Sequence, residues 1–455
     1  MKIVKRAGYM SLFLLGVIGG MTTAAASAAE PLSVQSESDI AAQLGIVQGE
    51  GNGVTAAYLN KAATRLQGAI MSLRLQGLET EALSYRGASH FQDLGGLSKE
   101  NQAILGYLSS HPELGWEGAT GQLFNPLAEL TAGEYDKVLL EALGYRQGVD
   151  FEFANVSDFA EKMGLTSLAK QSDLRNVHMV SGTLEALRLP MKGGGGAATL
   201  GSSLAAKGKL DSAILAELQK PTLGLMHSDA AGSYLTDEKG MTLYYFSKDV
   251  ADPNACTGQC LVNWPVYSSD HFIVPAQFQA SDFSSITRTD GQDQVTYKGW
   301  PLYFFVKDAK PGDTLGNNVN QVWFTVQPSD GGVSIGTKPE LGNYLTDADG
   351  ISLYYYEQDT KGVSHCEGKC LDKWPVFYAS SISVPAGVDL ADFGTLVRSD
   401  GTLQTTYKGY PLYHWVGDKL RGDTTGQDVG HVWYVIDPAK FSGTKAENAS
   451  VITSK

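Results

Sequence analysis

The four cysteines of this 455-residue chain are its best candidates for covalent chemistry, and they form two pairs with the same spacing. Cys256 and Cys260 lie in CTGQC, and Cys366 and Cys370 lie in CEGKC. In an oxidising compartment such pairs predict two local disulfides. The spacing differs from the CxxC of disulfide oxidoreductases, so a redox role is the less favoured alternative. Closing so short a loop stabilises a fold by only about 2 kcal/mol, so each disulfide is expected to fix one turn.

Aspartates recur at fixed positions and could bind calcium, because hard cations take carboxylate and carbonyl oxygens from glycine-rich loops. An aspartate that ends a strand more commonly accepts hydrogen bonds from backbone N–H groups of its own turn, and we favour that interpretation. No histidine is repeated between the two copies of the duplicated region described below, so we expect no metal and no other cofactor. The recurring aspartates are Asp249, Asp308, Asp359 and Asp418 in one position, and Asp313 and Asp423 in another.

The sequence gives no reason to expect an enzyme. It contains neither a phosphate-binding glycine loop nor the zinc motif H-E-x-x-H. Its 49 acidic residues are too many for spacing alone to nominate a catalytic pair. The formal net charge of −14 argues against nucleic acid as a partner, because phosphates are repelled by an acidic surface.

The segment 1–29 has the order of a secretory signal peptide. Basic Lys2, Lys5 and Arg6 precede the apolar run SLFLLGVIGGM, and small residues follow in TTAAASAA. The apolar run is shorter than the roughly 18 to 20 residues that a membrane-spanning helix needs. Cleavage after Ala28 or Ala29 predicts a secreted protein at the bacterial cell surface or wall, with no transmembrane segment in its mature form.

The elements that position these residues are repeated at two levels. Residues 232–328 align with 342–438 at one constant offset and without a gap, which is a tandem duplication. Within each copy a second, shorter offset relates Tyr244 to Tyr303 in the same way as Asp249 to Asp308. Each copy is therefore predicted to consist of two related halves.

Turn residues predict that each half contains a hairpin. The runs YLTD and MTLYYF are separated by EKG, and the runs QVTY and WPLYFF are separated by KG. Glycine supplies the positive φ that tight hairpin turns require. Tyr244 and Phe246 are expected to face one side of their strand, and Leu243 and Tyr245 the other, because residues two apart share a face. Such aromatic strands suggest sheets packed against sheets in an all-β region.

The chain before residue 220 shows helical periodicity, for example in AGEYDKVLLEALGY and KLDSAILAELQ. The sequence thus predicts a multidomain protein with an N-terminal all-α part and C-terminal all-β tandem repeats built from hairpins. The predicted units are a signal peptide at 1–29, an all-α domain at 30–220, β repeats at 230–330 and 340–440, and a flexible tail at 441–455.

The helical part, over about residues 38–165, resembles bacterial S-layer homology domains. The resemblance is carried by Phe91 and Asp93 in HFQD, by GWEGATGQLFNP, and by the helix start LTAGEYDKVLLEALGY. An earlier helix start has Thr64 and Arg65, where the family has Thr and Arg. The resemblance implies attachment to a cell-wall polysaccharide, with contacts from Thr64, Arg65, Thr131 and Glu134.

The β part resembles the secreted repeats of bacterial lipoproteins that share the motif Y-x-[FWY]-x-x-D and have no known biochemical role. The chain differs from the lipoprotein members because no cysteine lies near the predicted cleavage site. The resemblance implies an extracellular location and a repeated architecture. The motif residues are Tyr244, Phe246 and Asp249; Tyr303, Phe305 and Asp308; Tyr354, Tyr356 and Asp359; and Tyr413, Trp415 and Asp418.

The sequence as a whole favours an exported structural or binding module of the cell surface, attached through its helical domain. The alternative is a surface redox or metal-handling protein that uses the aromatic, cysteine-bearing repeats.

Overall fold

Short helices form the first half of the protein. The computed structural model describes residues 32–118, 122–169, 171–194, 198–328 and 331–442, and the predicted signal peptide lies outside them. Within these ranges no helix is long and apolar enough to cross a membrane. The helices before residue 220 are α1 (Glu37–Gln43), α2 (Ala56–Leu59), α3 (Arg65–Leu75), α4 (Glu79–Ser84), α5 (Lys99–Ser109), α6 (Ala132–Ala142), α7 (Val156–Met163), α8 (Asn176–Arg188), α9 (Leu200–Ala206) and α10 (Ser212–Glu217).

Helices α1, α3 and α6 begin with a capping box, which satisfies backbone N–H groups that a helix start leaves unpaired. Thr64 caps α3 together with Gln67, and Thr131 caps α6 together with Glu134. The buried faces of the helices then pack into one apolar core. The predicted helical region is therefore confirmed.

One strand interrupts the helical region, so the prediction of an all-α domain from residue 30 was wrong at its beginning. Strand β1 (Ser33–Ser36) pairs in parallel with β5 (His271–Val274), which lies far along the chain. The sequence SVQS contains a single apolar residue, so it shows no alternating pattern that would predict a strand. The amino-terminal segment of the described chain thus belongs to the β region by its hydrogen bonds, and the predicted boundary near residue 221 stays a prediction.

The β region is built from short strands in sheets of two or three, together with one helix, α11 (Gln259–Asn263). The predicted β-rich character of this region is confirmed, and the packing of sheet against sheet stays a prediction. The remaining strands are β2 (Gly224–Ser228), β3 (Gly232–Thr236), β4 (Tyr244–Phe246), β6 (Phe283–Thr287), β7 (Asp293–Tyr297), β8 (Trp300–Pro301), β9 (Trp323–Thr325), β10 (Val333–Lys338), β11 (Gly342–Asp347), β12 (Tyr354–Tyr356), β13 (Phe393–Val397), β14 (Leu403–Tyr407), β15 (Tyr410–Pro411) and β16 (Trp433–Val435).

The turns at Lys-Gly make hairpins, as predicted. Tyr297 faces Trp300 across the turn, and Lys298 and Gly299 both have positive φ, at 48° and 76°. The other predicted hairpin is also present but short: Thr236 and Thr242 form a bridge. Asp237 donates its N–H to the Met241 carbonyl at 2.9 Å, and Leu243 donates to the Leu235 carbonyl at 3.0 Å. Its second run continues as β4, whose ladder partner is β9 from the other half of the same copy.

The two copies share one apolar core. Trp300 of the first copy donates its indole N–H to the carbonyl of Ala348 in the second, at 3.1 Å. Phe441, placed at the start of the predicted tail, is only 2% exposed and packs in this core, so the prediction that the tail begins at 441 was wrong. Residues 443–455 lie outside the described residues.

Candidate functional site

Tyrosine–aspartate pairs join the two halves of each copy. Tyr244 and Tyr303 face each other in an antiparallel bridge, each donating its backbone N–H to the other's carbonyl at 2.9 Å. The Tyr244 hydroxyl then donates to Asp308 at 2.7 Å, and the Tyr303 hydroxyl donates to Asp249 at 2.8 Å. Each half therefore supplies the tyrosine for the aspartate of the other half.

The second copy repeats this crossed arrangement. Tyr354 donates to Asp418 at 2.7 Å, and Tyr413 donates to Asp359 at 2.8 Å. All four tyrosines are fully buried, and the four aspartates are at most 8% exposed. The motif residues that the sequence singles out are thus brought together, but they lie in the interior of the β region.

The aspartates also hold their own loops. The second carboxylate oxygen of Asp308 accepts the backbone N–H of Leu315 at 3.0 Å, and that of Asp249 accepts the N–H of Ala255 at 3.1 Å. The prediction that these aspartates accept backbone N–H groups of their own loops is therefore confirmed for one carboxylate oxygen of each. The hydrogen bond from a tyrosine of the other half to the second oxygen was not predicted. No group of three or more His, Cys, Asp or Glu residues that could hold a metal ion is found in the described part of the chain.

Burial controls the ionisation of these pairs, because a charged carboxylate loses its hydration there. It raises the pKa of Asp249 to about 7, although the Tyr303 hydroxyl and the Ala255 N–H favour the ionised form. It also raises the pKa values of Asp308 and Asp359. Burial raises the pKa values of the four tyrosines too, so they remain neutral donors.

Four aromatic rings stack beside each set of crossed pairs. In the first copy the order is Phe246, Trp323, Trp264 and Phe305, with successive centroids 4.3, 3.8 and 4.2 Å apart. The two central tryptophans are almost parallel, at 3°. Contacts between aromatic faces add about 0.5 to 1.5 kcal/mol each beyond burial.

The second copy has Tyr356, Trp433, Trp374 and Trp415 in the same order, with the central pair again 3.8 Å apart and the ring of Trp415 tilted by 34° from that of Trp374. Tyr244 and Phe246 belong to the aromatic cluster of the first copy, whereas Leu243 and Tyr245 belong to the shared core. The predicted division of the strand faces is therefore confirmed.

Both predicted disulfides are present, Cys256–Cys260 and Cys366–Cys370. Cys256 is buried against the first ring stack, and its carbonyl accepts the guanidinium of Arg288 at 2.5 Å. Arg398 makes the equivalent bond to Cys366. These arginines were missed, although their recurrence at equivalent positions of the two copies, in RTDG and RSDG, was a signal that could have identified them.

The segment GVSIG, residues 332–336, fits the spacing of the G-x-S-x-G nucleophile motif. Ser334 lies inside β10, opposite Thr346 of β11. That motif requires a sharp turn between a strand and a helix. The local structure therefore gives Ser334 no nucleophile geometry.

In the helical region, Arg65 lies in a cleft of about 330 Å³ with Trp116, Glu117, Glu134 and Lys137. Its guanidinium forms an ion pair with Glu134 and donates to two carbonyls, including Glu117 O at 3.2 Å. It also lies over the rings of Trp116 and Phe124. The structure thus joins Arg65 to Glu134, two of the residues that the sequence proposes for polymer binding.

The other two proposed residues serve as helix caps. The Thr64 side chain accepts the N–H of Gln67, and the Thr131 side chain accepts the N–H of Glu134. Their part in polymer binding stays a prediction.

The β region matches one known protein family. Four segments match a family described as a secreted repeat of unknown function: residues 226–267, 284–327, 337–378 and 394–437. Each match contains one copy of the tyrosine–aspartate motif. This confirms the prediction that each of the two copies consists of two related halves. No curated protein matches the chain. The matches do not reach the helical region, so its resemblance to S-layer homology domains stays a prediction. The β region, from 226 to 437, is similar to four consecutive secreted repeats of this family.

Proposed function

We propose that the protein is a non-catalytic module of the bacterial cell surface, in which the helical region binds an acidic cell-wall polysaccharide and the β region forms a rigid extracellular body. The observation that carries this proposal is the pairing of Arg65 and Lys137 in one cleft beside an indole ring. Guanidinium and ammonium groups suit the carboxylates of acidic sugars, and an aromatic face suits a sugar ring.

The charges of the cleft favour exchange for a ligand. Lys137 is only 6% exposed. The side chain of its ion-pair partner Glu117 lies at 3.3 Å and is 63% exposed. The exposed Glu117 can move into water, whereas the buried ammonium of Lys137 needs an anionic partner. A sugar carboxylate would therefore take the place of Glu117 beside Lys137.

The geometry of Arg65 is compatible with the same ligand. Its ion pair with Glu134 and its donation to the carbonyls of Phe124 and Glu117 fix the guanidinium without using all five N–H donors. The position is thus preorganised, which reduces the entropy lost on binding.

Co-sedimentation of the purified mature protein with cell-wall sacculi tests this proposal. Lys137→Gln removes one cation of the cleft and leaves the bonds of Arg65 intact, and Arg65→Lys keeps the charge but loses the planar fork. Arg74→Gln is the matched control, because Arg74 lies on the same helix as Arg65 and pairs with Glu79 outside the cleft. We expect the two cleft variants to bind at least tenfold more weakly and the control to bind normally. Unchanged binding by Lys137→Gln, at an unchanged melting temperature, would exclude the cleft.

A surface redox role is the second candidate, favoured by the two four-ring stacks that lie beside disulfides. Stacked indoles at 3.8 Å provide close electronic contact between neighbouring rings. Absorbance spectra and metal analysis of the purified protein distinguish the candidates. A colourless, metal-free protein supports the surface module, and a stoichiometric chromophore or metal supports the redox role.

A further inference from the structure

A large cleft lies where the helical region meets both copies of the β region. Its volume is about 700 Å³, and one wall is the segment 381–384. The lining also includes Ala56, Leu59 and Val177 from the helical region. Comparison of this segment with the equivalent segment of the first copy shows a difference in strand pairing.

In the first copy the corresponding segment is β5 (His271–Val274), and it is covered on both edges. One edge pairs with β1, beginning with the Ser33 N–H donated to Asp270 O at 2.9 Å. The other edge contacts Pro221 and Leu223 through both backbone groups of Ile273. Phe272 and Val274 are fully buried as a result.

In the second copy, the described residues cover one edge of the segment. Val333 donates its N–H to Ser383 O at 3.0 Å, which repeats the bond between Leu223 and Ile273. No strand of the described residues pairs with segment 381–384. Ile382 and Val384 are only half-buried, in contrast to Phe272 and Val274.

The direction of the backbone groups follows from strand geometry. Each residue of a strand directs its N–H and carbonyl to one edge, and the next residue directs them to the opposite edge. Residue 383 is directed towards Val333, so the N–H and carbonyl of Ile382 and the N–H of Val384 are directed the other way. Such a row of backbone groups, which has no strand partner in the part of the chain that the structure describes, is a template for an added strand.

The space and charge of the cleft define the occupant. A four-residue strand in a packed sheet fills about 600 Å³, from a strand spacing of about 4.8 Å, a rise of about 3.3 Å per residue and a depth of about 10 Å. The cleft has two carboxylates, Asp229 and Asp389, and no Lys or Arg among the described residues of its lining. An acidic segment is therefore disfavoured.

We propose that the edge of segment 381–384 binds an extended, uncharged or basic segment of another protein, which adds as a parallel strand in the way that β1 adds to β5. Main-chain hydrogen bonds supply the affinity of such strand addition, and alternate side chains supply its specificity. This inference does not depend on wall attachment.

The test uses the mature protein and a dye-labelled peptide with the β1 sequence LSVQS, followed by fluorescence anisotropy. The control peptide LSVPS lacks the N–H that would reach the Ile382 carbonyl. Ile382→Pro removes the central N–H of the edge, and Ile382→Val keeps it with a similar side chain. We expect saturable binding of LSVQS that weakens at least tenfold with LSVPS or with Ile382→Pro, and less than threefold with Ile382→Val.

Hydrogen exchange gives an independent readout in the unmutated protein. The peptide should slow exchange at the amides of Ile382 and Val384. Absence of saturable LSVQS binding at millimolar peptide, or equal binding of LSVPS, would overturn the proposal. Concentration-dependent dimers that disappear in Ile382→Pro would assign the edge to a second copy of this chain and would likewise overturn the assignment to another protein.

Discussion

The hydroxyl of Tyr244 donates to the carboxylate of Asp308 at 2.7 Å, although the two residues belong to different halves of the first copy. The same hydroxyl accepts the backbone N–H of Gly316 at 3.2 Å. Tyr354 makes the corresponding bonds to Asp418 and Gly426. The recurring motif therefore works between halves, since the tyrosine of one half is completed by the aspartate of the other.

Removing one tyrosine hydroxyl should destabilise the β region measurably. Tyr244→Phe leaves the carboxylate of Asp308 and the N–H of Gly316 without this partner in a buried site, which typically costs about 1 to 3 kcal/mol. Urea unfolding gives the free energy directly. Tyr85→Phe is the control, because the Tyr85 hydroxyl makes only a long, exposed contact of 3.5 Å. A loss no larger than that of the control would show that the crossed bond contributes nothing.

The stability of the protein should depend on pH through Asp249. Its pKa is raised by burial from 3.8 to about 7, so the folded state holds a proton that the unfolded state releases between these values. The corresponding stability is fully present below about pH 4 and is lost as the pH rises through about 7. Asp249→Asn should remove this contribution. Urea midpoints at pH 4 to 8 measure it, and a difference between the two proteins that is independent of pH would contradict the assignment.

Arg421 should couple the two copies. Its guanidinium lies 4.3 Å from the ring centroid of Trp300 and donates to the carbonyl of Lys298 at 2.6 Å. Arg421→Lys loses the planar stacking and part of this donation, and we expect a loss of about 1 to 2 kcal/mol. Lys310→Gln, in the equivalent loop of the first copy, serves as an exposed control. In a double-mutant cycle with Trp300→Phe we expect a coupling energy of about 0.5 kcal/mol or more, and additive effects would exclude a direct interaction.

The disulfides should fix local turns only. Intact mass should rise by about four hydrogens on reduction, in line with the two bonds between Cys256 and Cys260 and between Cys366 and Cys370. The double variant Cys256→Ser/Cys260→Ser should remain folded and lose about 2 kcal/mol. Free thiols in the unreduced protein would contradict the pairing, and complete unfolding would contradict the local role.

Much of the β region could be predicted from the sequence, because tandem repeats display their equivalent residues at fixed offsets. Tyr244 and Asp249 were singled out in this way, and so were the cysteines. The partner of each tyrosine could not be predicted, because a constant offset shows which positions are equivalent and does not show which positions touch. Asp249 was consequently expected in a turn, whereas it lies in the interior and binds Tyr303.

Strand β1 illustrates the second limit. Ser33–Ser36 has no strong alternation, and its partner β5 lies beyond the whole helical region in the chain, so no local signal could reveal the pairing. The hydrogen bonds of Arg65 could not be predicted from the sequence either. Its position at a helix start was visible in the sequence, but its contacts with Phe124 and Glu117 depend on the packing of loops that are distant in the chain.

Sedimentation of the purified mature protein with native sacculi and with sacculi stripped of acidic polymers tests the proposed function most directly. We expect saturable binding to native sacculi that weakens as salt rises, because Arg65 and Lys137 would contact carboxylates. We also expect binding to disappear when the polymers are removed. Equal binding to both preparations, or no binding to either, would contradict attachment through the cleft.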